Sequence, residues 1–218
     1  MIHKQPIVQQ LISLLTEHNL TFGVFGGYPR DLKHGAVPKD LDLIIYNFDP
    51  NNDQNMLGFE RLSDFIENQD LLAVDPYELS KAADPLKYPI NKRMLEVIKL
   101  KCKVDIIVML PKYRYLTEVT RDFDLNINQY VFSLTKEVVT FVGQNEGTLQ
   151  YTRNFEIKDM DDREAHIKAK AVAFGWDVTQ CVKPESDDSP EKPPTARPLT
   201  DLLTGAKNRR FPCEYNKD

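Results

Sequence analysis

The hydrophobic pattern of the chain changes period several times, and each change marks an element. Ile7, Val8, Leu11, Ile12, Leu14 and Leu15 recur at three-to-four spacing and predict an amphipathic helix over residues 6–18. Thr21 to Phe25 is a short apolar run that predicts a strand, ending in Gly26-Gly27. Pro29 suits the first turn of a following helix, and Gly35 suits its end. Asp40 to Tyr46 predicts a second strand, Asn51–Asn55 a polar loop, and Phe59 to Ile66 a second amphipathic helix.

Leu95 to Leu110 carries the strongest alternation. Ile98, Leu100, Cys102, Val104, Ile106, Val108 and Leu110 are apolar at even positions, while Lys99, Lys101, Lys103 and Asp105 occupy odd ones. Period two places one face in a core and the other in a cleft or solvent. The segment reads equally as one long strand or as two strands joined by an unmarked turn. Val138 to Val142 predicts another strand and residues 161–176 a helix. Residues 75–93, with three prolines, read as an irregular excursion; Lys183 to Pro198 reads as a solvated, Pro-rich linker before a weakly apolar tail. The implied organisation is a main folded domain over 1–145, a short helical extension over 146–182, a linker over 183–198 and a tail over 199–218.

Composition narrows this picture. With 41% hydrophobic residues in 218, the chain can bury one sizeable core. No run approaches the roughly 20 apolar residues of a membrane span, and the apolar N-terminal stretch is broken by Gln9, Gln10 and Ser13. Cys102, Cys181 and Cys213 are scattered and lack a CxxC pair, so neither a disulfide framework nor a zinc site is indicated, and a reducing cytoplasm is the expected location. The net charge of −5 gives no general support to nucleic-acid binding.

The chemistry concentrates at four places. Asp40 and Asp42 are two apart on a strand, so their carboxylates share a face. Like charges that close repel unless a cation joins them, and magnesium prefers oxygen ligands and takes one or two carboxylates plus substrate phosphates. Gly26 and Gly27, between a strand and a helix, let backbone donors approach a phosphate. Asp105, on the alternating segment, is the natural third carboxylate. Each has an ordinary alternative: a solvated strand edge, a tight turn, and an aspartate paired with a neighbouring lysine. Lys99, Lys101 and Lys103 read either as a guide for RNA or nucleotide or as a solvated strand face. The four histidines are scattered and group as no ligand set.

Together the motifs resemble a known family. Gly26-Gly27-Tyr28-Pro29-Arg30-Asp31, Gly35 and Lys39-Asp40-Leu41-Asp42-Leu43 look like the first motif of the class II CCA-adding enzyme and bacterial poly(A) polymerase family. Arg121-Asp122-Phe123-Asp124-Leu125-Asn126 resembles that family's next signature, in the right order. The resemblance covers roughly residues 20–145. It implies an α+β, polymerase-β-like nucleotidyltransferase fold: a mixed sheet flanked by helices, with a short helical C-terminal extension. It implies that Asp40, Asp42 and Asp105 hold two Mg2+ ions, and that Gly26, Gly27, Arg30, Arg121, Asp122 and Asn126 bind the nucleotide. Pro29 replaces a small aliphatic residue of the family, and Asp124 replaces its threonine, adding negative charge near the nucleotide. The acidic and basic residues that follow (Asp161, Asp162, Arg163, His166, Lys168 and Lys170) occupy the region of the family's base-reading motif without a determinate register. The family's long helical RNA-binding body has little room to follow, so a minimal form is expected.

The expected activity is transfer of a nucleoside monophosphate from ATP or CTP to an RNA 3′ end, with tRNA as the partner and no membrane. The alternative is a protein or small-molecule hydroxyl as acceptor. A non-catalytic binding module is disfavoured, because all three candidate carboxylates are retained.

Overall fold

The computed structural model describes residues 1–73, 94–152 and 160–182. The excursion read at 75–93, the linker and the tail lie outside the described residues. After a 3-10 turn, helix α1 (Pro6–Glu17) leads into β1 (Phe22–Phe25), α2 (Gly27–Lys33) and β2 (Leu41–Ile45). Then come α3 (Asp53–Asn68), β3 (Met94–Leu100), β4 (Val104–Met109) and α4 (Leu116–Arg121). β5 (Tyr130–Ser133), β6 (Val138–Phe141) and α5 (Met160–Ala173) complete the described order.

The strands form a six-stranded sheet in the order β3-β4-β2-β1-β5-β6. It is mixed: β2 and β4 run parallel, and the other neighbours are antiparallel. This is the expected α+β class, a mixed sheet flanked by helices.

Alternation along the central strands sorts their residues onto two faces. Leu41, Leu43 and Ile45 of β2 and Val104, Ile106 and Val108 of β4 are buried in one apolar cluster with Val8, Leu11 and Leu15 of α1 and Phe59, Leu62 and Ile66 of α3. Period two then sends Asp42 and Asp105 to the opposite face. At roughly 2 kcal/mol for each large apolar side chain removed from water, this helix-covered face is the main stabilising layer. A smaller cluster joins Leu125, Ile127, Tyr130 and Leu149 to Ile167, Ala171 and Trp176, which fastens α5 to the sheet beside β5.

One open alternative is decided, and two elements depart from the sequence reading. The segment at 95–110 is a hairpin, with its turn at Lys101–Lys103 and Lys103 at φ +62°. Its register pairs Ile98 with Ile106 and Leu100 with Val104, so even positions stay on one face through the turn. Unbroken parity is why one strand and a hairpin read alike in the sequence. The second helix begins at Asp53, because the Asn52 side chain accepts from the N–H groups of Gln54 and Asn55 and caps it; part of the polar loop is therefore helix. β5 was not read from the sequence: it is only four residues long and follows directly on a 3-10 turn at Asn126–Asn128. No helix among the described residues is long and apolar enough to cross a membrane.

Candidate active site

The sheet face opposite α1 and α3 borders a cleft of about 430 Å3. Its position follows from the β2–β4 register. Asp42 is the parallel-strand partner of Asp105, and partners on neighbouring strands sit about 5 Å apart and point the same way. Asp40 lies just ahead of β2, exposed, and also lines the cleft. Lys99 faces Asp105 across the β3–β4 ladder, with Nζ 3.7 Å from its carboxylate.

The charges here are poorly compensated. Burial, then the carboxylates of Asp40 and Asp105, push Asp42 up to about 7. Burial also raises Asp105, although Lys99 opposes the shift. Among the described residues, no three His, Cys, Asp or Glu side chains converge as a ready-made metal cage. The donor set nevertheless fits a hard divalent cation: three oxygen ligands on one wall, with charge left unneutralised, and room for the waters and phosphates such ions retain.

The turn between β1 and α2 closes one end of the cleft. Gly26 caps α2 with φ +77° and ψ −127°, a conformation natural only to glycine. A Cβ there would stand 3.5 Å from an Asp42 carboxylate oxygen, so the backbone passes directly beside the acidic wall. The Gly26 N–H donates to the Tyr130 carbonyl and Arg30 N–H to the Gly26 carbonyl. Because first-turn N–H groups lack acceptors within their own helix, and Pro29 has none to offer, Gly27 and Tyr28 supply the donors at this helix start.

The opposite wall is a buried polar network. Arg30 donates from Nε and Nη2 to Asp31 Oδ1, both at 2.7 Å, and from Nη1 to Asn128 Oδ1 at 2.6 Å. Asn128 Nδ2 donates to Asp124 at 3.3 Å. Asp124 also accepts from the Leu125 N–H and from Arg163 Nε. Lys170 Nζ donates to Asp31 at 2.9 Å. Arg163, His166, Ile167 and Lys170 line the cleft at the i, i+3, i+4, i+7 spacing of one helix face. Lys168 points elsewhere and pairs with Glu164.

The cleft thus gathers Gly26, Gly27, Arg30, Asp40, Asp42, Asp105 and Asp122. Asp122 is buried and accepts from the Tyr113 hydroxyl. Arg121 and Asn126 are not part of the lining. Arg121 is exposed at the end of α4. Asn126 is buried and clamps a loop, donating to the carbonyls of Gln144 and Thr148 and accepting from the Gln150 N–H. Asp124 does not add free negative charge to the cleft, since its carboxylate is neutralised by Arg163. The three lysines of the alternating segment do not form one track: Lys99 faces the cleft, whereas Lys101 in the turn pairs with Asp70 at 2.7 Å. Sequence reasoning missed Asp31 and Asn128 as members of the wall; Asp31 lies within the first quoted motif, and Asn128 lies two residues past the end of the second.

No family model and no curated protein sequence matches the chain. Solved structures similar to it include two of CCA-adding enzymes. A complex of a CCA-adding enzyme with CTP aligns at TM-score 0.38 and 15% identity, over 78% of this chain and 37% of that one. A CCA-adding enzyme in an apo form aligns at TM-score 0.36 and 14% identity, over 75% of this chain and 42% of that one. The chain therefore spans about two fifths of the length of these enzymes. Likeness of this degree leaves the functional reading to the geometry of the cleft.

Proposed function

We propose that this chain is a metal-dependent nucleotidyltransferase that transfers a nucleoside monophosphate from ATP or CTP to an RNA 3′ end, with tRNA as the acceptor, and releases pyrophosphate. The observation that carries the reading is the pairing of Asp42 with Asp105 on adjacent parallel strands, with Asp40 on the same cleft wall. Asp40, Asp42 and Asp105 would hold two Mg2+ ions. Bound there, the metal would lower the pKa of an attacking hydroxyl and offset the charge of the leaving pyrophosphate.

The chain's own groups divide the remaining work. The backbone donor of Gly27, at the start of α2 on the cleft rim, would meet the triphosphate. Arg30 and Asp122 shape the pocket from the buried wall. Asp105, the third carboxylate of the wall, would accept the proton of the acceptor hydroxyl. Phosphoryl transfer of this kind relies chiefly on positioning and charge stabilisation, which suits a cleft built from two rigid strands and a helix start.

The test is primer extension with tRNA ending before C, C or A, magnesium and each NTP. Growth by wild type and none by Asp42→Asn of equal folded content is expected. No extension with any NTP by wild type overturns the RNA acceptor. The net charge of −5 favours a second reading, in which the acceptor is a protein or small-molecule hydroxyl. NTP-derived label on protein, with RNA untouched, would select it.

A further inference from the structure

We infer that Lys99 is a resident counter-ion of the carboxylate wall, a positioning residue that a divalent ion must displace and that thereby sets the ion concentration at which the site loads; this rests on the metal reading above. One rung of the sheet carries the charges concerned. Lys99 on β3 stands opposite Asp105 on β4, Asp105 beside Asp42 on β2, and Asp42 opposite Phe25 on β1. Partners in register project to the same face, so the rung runs cation, carboxylate, carboxylate, ring. Phe25 is fully buried and brings no charge. The next rung on that face, formed by Val97, Ile107 and Ile44, is apolar and lines the cleft. The strands themselves therefore offer Asp42 and Asp105 one cation, and it sits on the edge strand.

That cation is held loosely. Its Nζ is 3.7 Å from Asp105 Oδ2, beyond hydrogen-bond length, and its side chain is 51% exposed. An ion pair this open contributes little and parts easily. Arg30, by contrast, is 5% exposed and donates twice to Asp31 at 2.7 Å. Even so, Lys99 is the largest charge opposing the rise that burial and the neighbouring carboxylates impose on Asp42, ahead of Arg163, and it opposes the rise at Asp105 as well. An ammonium with that reach repels a second cation brought to the same oxygens. A divalent ion carries more charge and takes carboxylate oxygens as direct ligands, so it wins the exchange, but only at a concentration that Lys99 raises. Lysine suits this role because its ammonium is a point charge on a flexible stem, whereas a guanidinium fork would clasp a carboxylate at two points.

The test is Mn2+ titration of chelator-stripped protein without nucleotide, with free Mn2+ read by electron paramagnetic resonance. Wild type is compared with Lys99→Gln, Lys99→Arg, Asp105→Asn and Lys101→Gln, with melting temperatures alongside. Lys99→Gln should bind Mn2+ about fivefold tighter than wild type, the change expected when a partly screened repulsion of a divalent ion is removed. Lys99→Arg should bind no tighter than wild type, and Asp105→Asn should bind more weakly. Lys101→Gln should match wild type, because its ammonium lies in the turn and pairs with Asp70. The Mg2+ concentration giving half-maximal primer extension should fall with Lys99→Gln in the same proportion. An equal gain from Lys101→Gln overturns the inference, since it would report bulk charge and not a counter-ion on the wall. If Lys99→Gln does not fold, Lys99→Met decides the same question. Failure of wild type and Lys99→Gln alike to bind millimolar Mn2+ overturns the metal reading and this inference with it, whereas wild-type binding that Lys99→Gln leaves unchanged or weakens overturns this inference alone.

Discussion

The cleft contains two pairs of carboxylates in opposite electrostatic states. Asp31 and Asp124 are almost fully buried, and each is matched by cations: Arg30 and Lys170 for the first, Arg163 for the second. Asp42 and Asp105 sit on adjacent strands, opposed by the half-exposed Lys99 and, more weakly at Asp42, by Arg163, and Asp42 is still pushed up to about 7. Asp42 and Asp105 are the less buried of the two pairs, so it is the supply of positive charge, not burial, that separates the pairs. The first pair is placed where the fold supplies positive charge and serves to join α2 and α5. The second is placed where the fold supplies almost none, which leaves its charge to be completed by something that binds. Strongly perturbed carboxylates in a cleft mark functional sites for this reason.

The largest way to break this contrast is to remove Asp42. Asp42→Ala should lower turnover by on the order of 10^3-fold or more, since the contribution of a bound metal to a transition state is several kcal/mol; extension rates at saturating magnesium check this. The next effect belongs to the matched pair. Asp31→Ala strands Arg30 and Lys170, and breaking a buried ion pair from one side costs about 3 to 5 kcal/mol. Urea denaturation should register that loss, and a cost below about 1 kcal/mol would show that the network is not a structural anchor.

A third prediction has the opposite sign. Because the folded state raises Asp42 above the ordinary aspartate value of about 3.9, the protonated form is favoured by folding. The resulting penalty is absent below pH about 4, grows as pH rises, and is complete above about 7. Asp42→Asn should therefore stabilise the metal-free protein at pH 8 by about 2 kcal/mol while abolishing activity, with no gain at pH 4. Chemical denaturation at the two pH values decides it: equal stability of the two proteins at pH 8 would contradict the uncompensated state of the pair. The smallest effect is that of Lys99→Gln. Its ammonium is half exposed, so losing it should move the pH-dependent loss of stability upward in pH by no more than about half a unit.

Much of the fold was legible because it is local. The 6–18 helix, the strands around Val24 and Leu43 and the alternation of 95–110 all follow from periodicity that neighbouring residues set. The misread boundaries have local causes of another kind. Asn52 caps a helix through its side chain, and the even parity of the hairpin hides its turn. β5 is too short for its pattern to stand out, and its pairing with β1 and β6 stabilises it from outside the segment. Site residues divided the same way. Asp40, Asp42 and the Gly26-Gly27 turn lie within one short stretch, and the structure brings them to one cleft with Asp105. Asn126 has the spacing of a ligand-binding residue, yet its amide is used up on three backbone groups.

The sequence by itself determined which residues alternate, where helices start, and that Asp42 and Asp105 each face away from the apolar side of their strands. Those properties depend on side-chain size, polarity and backbone preference over a few residues. Only the tertiary structure decided that Asp42 and Asp105 are neighbours, because parallel register is set by how β2 and β4 pack between distant elements. It likewise decided that Asp124 meets Arg163 and that Asp31 meets Lys170, 39 and 139 positions away. Opposite charges in a sequence have many potential partners, and a buried one keeps the partner that the packing brings within hydrogen-bond reach.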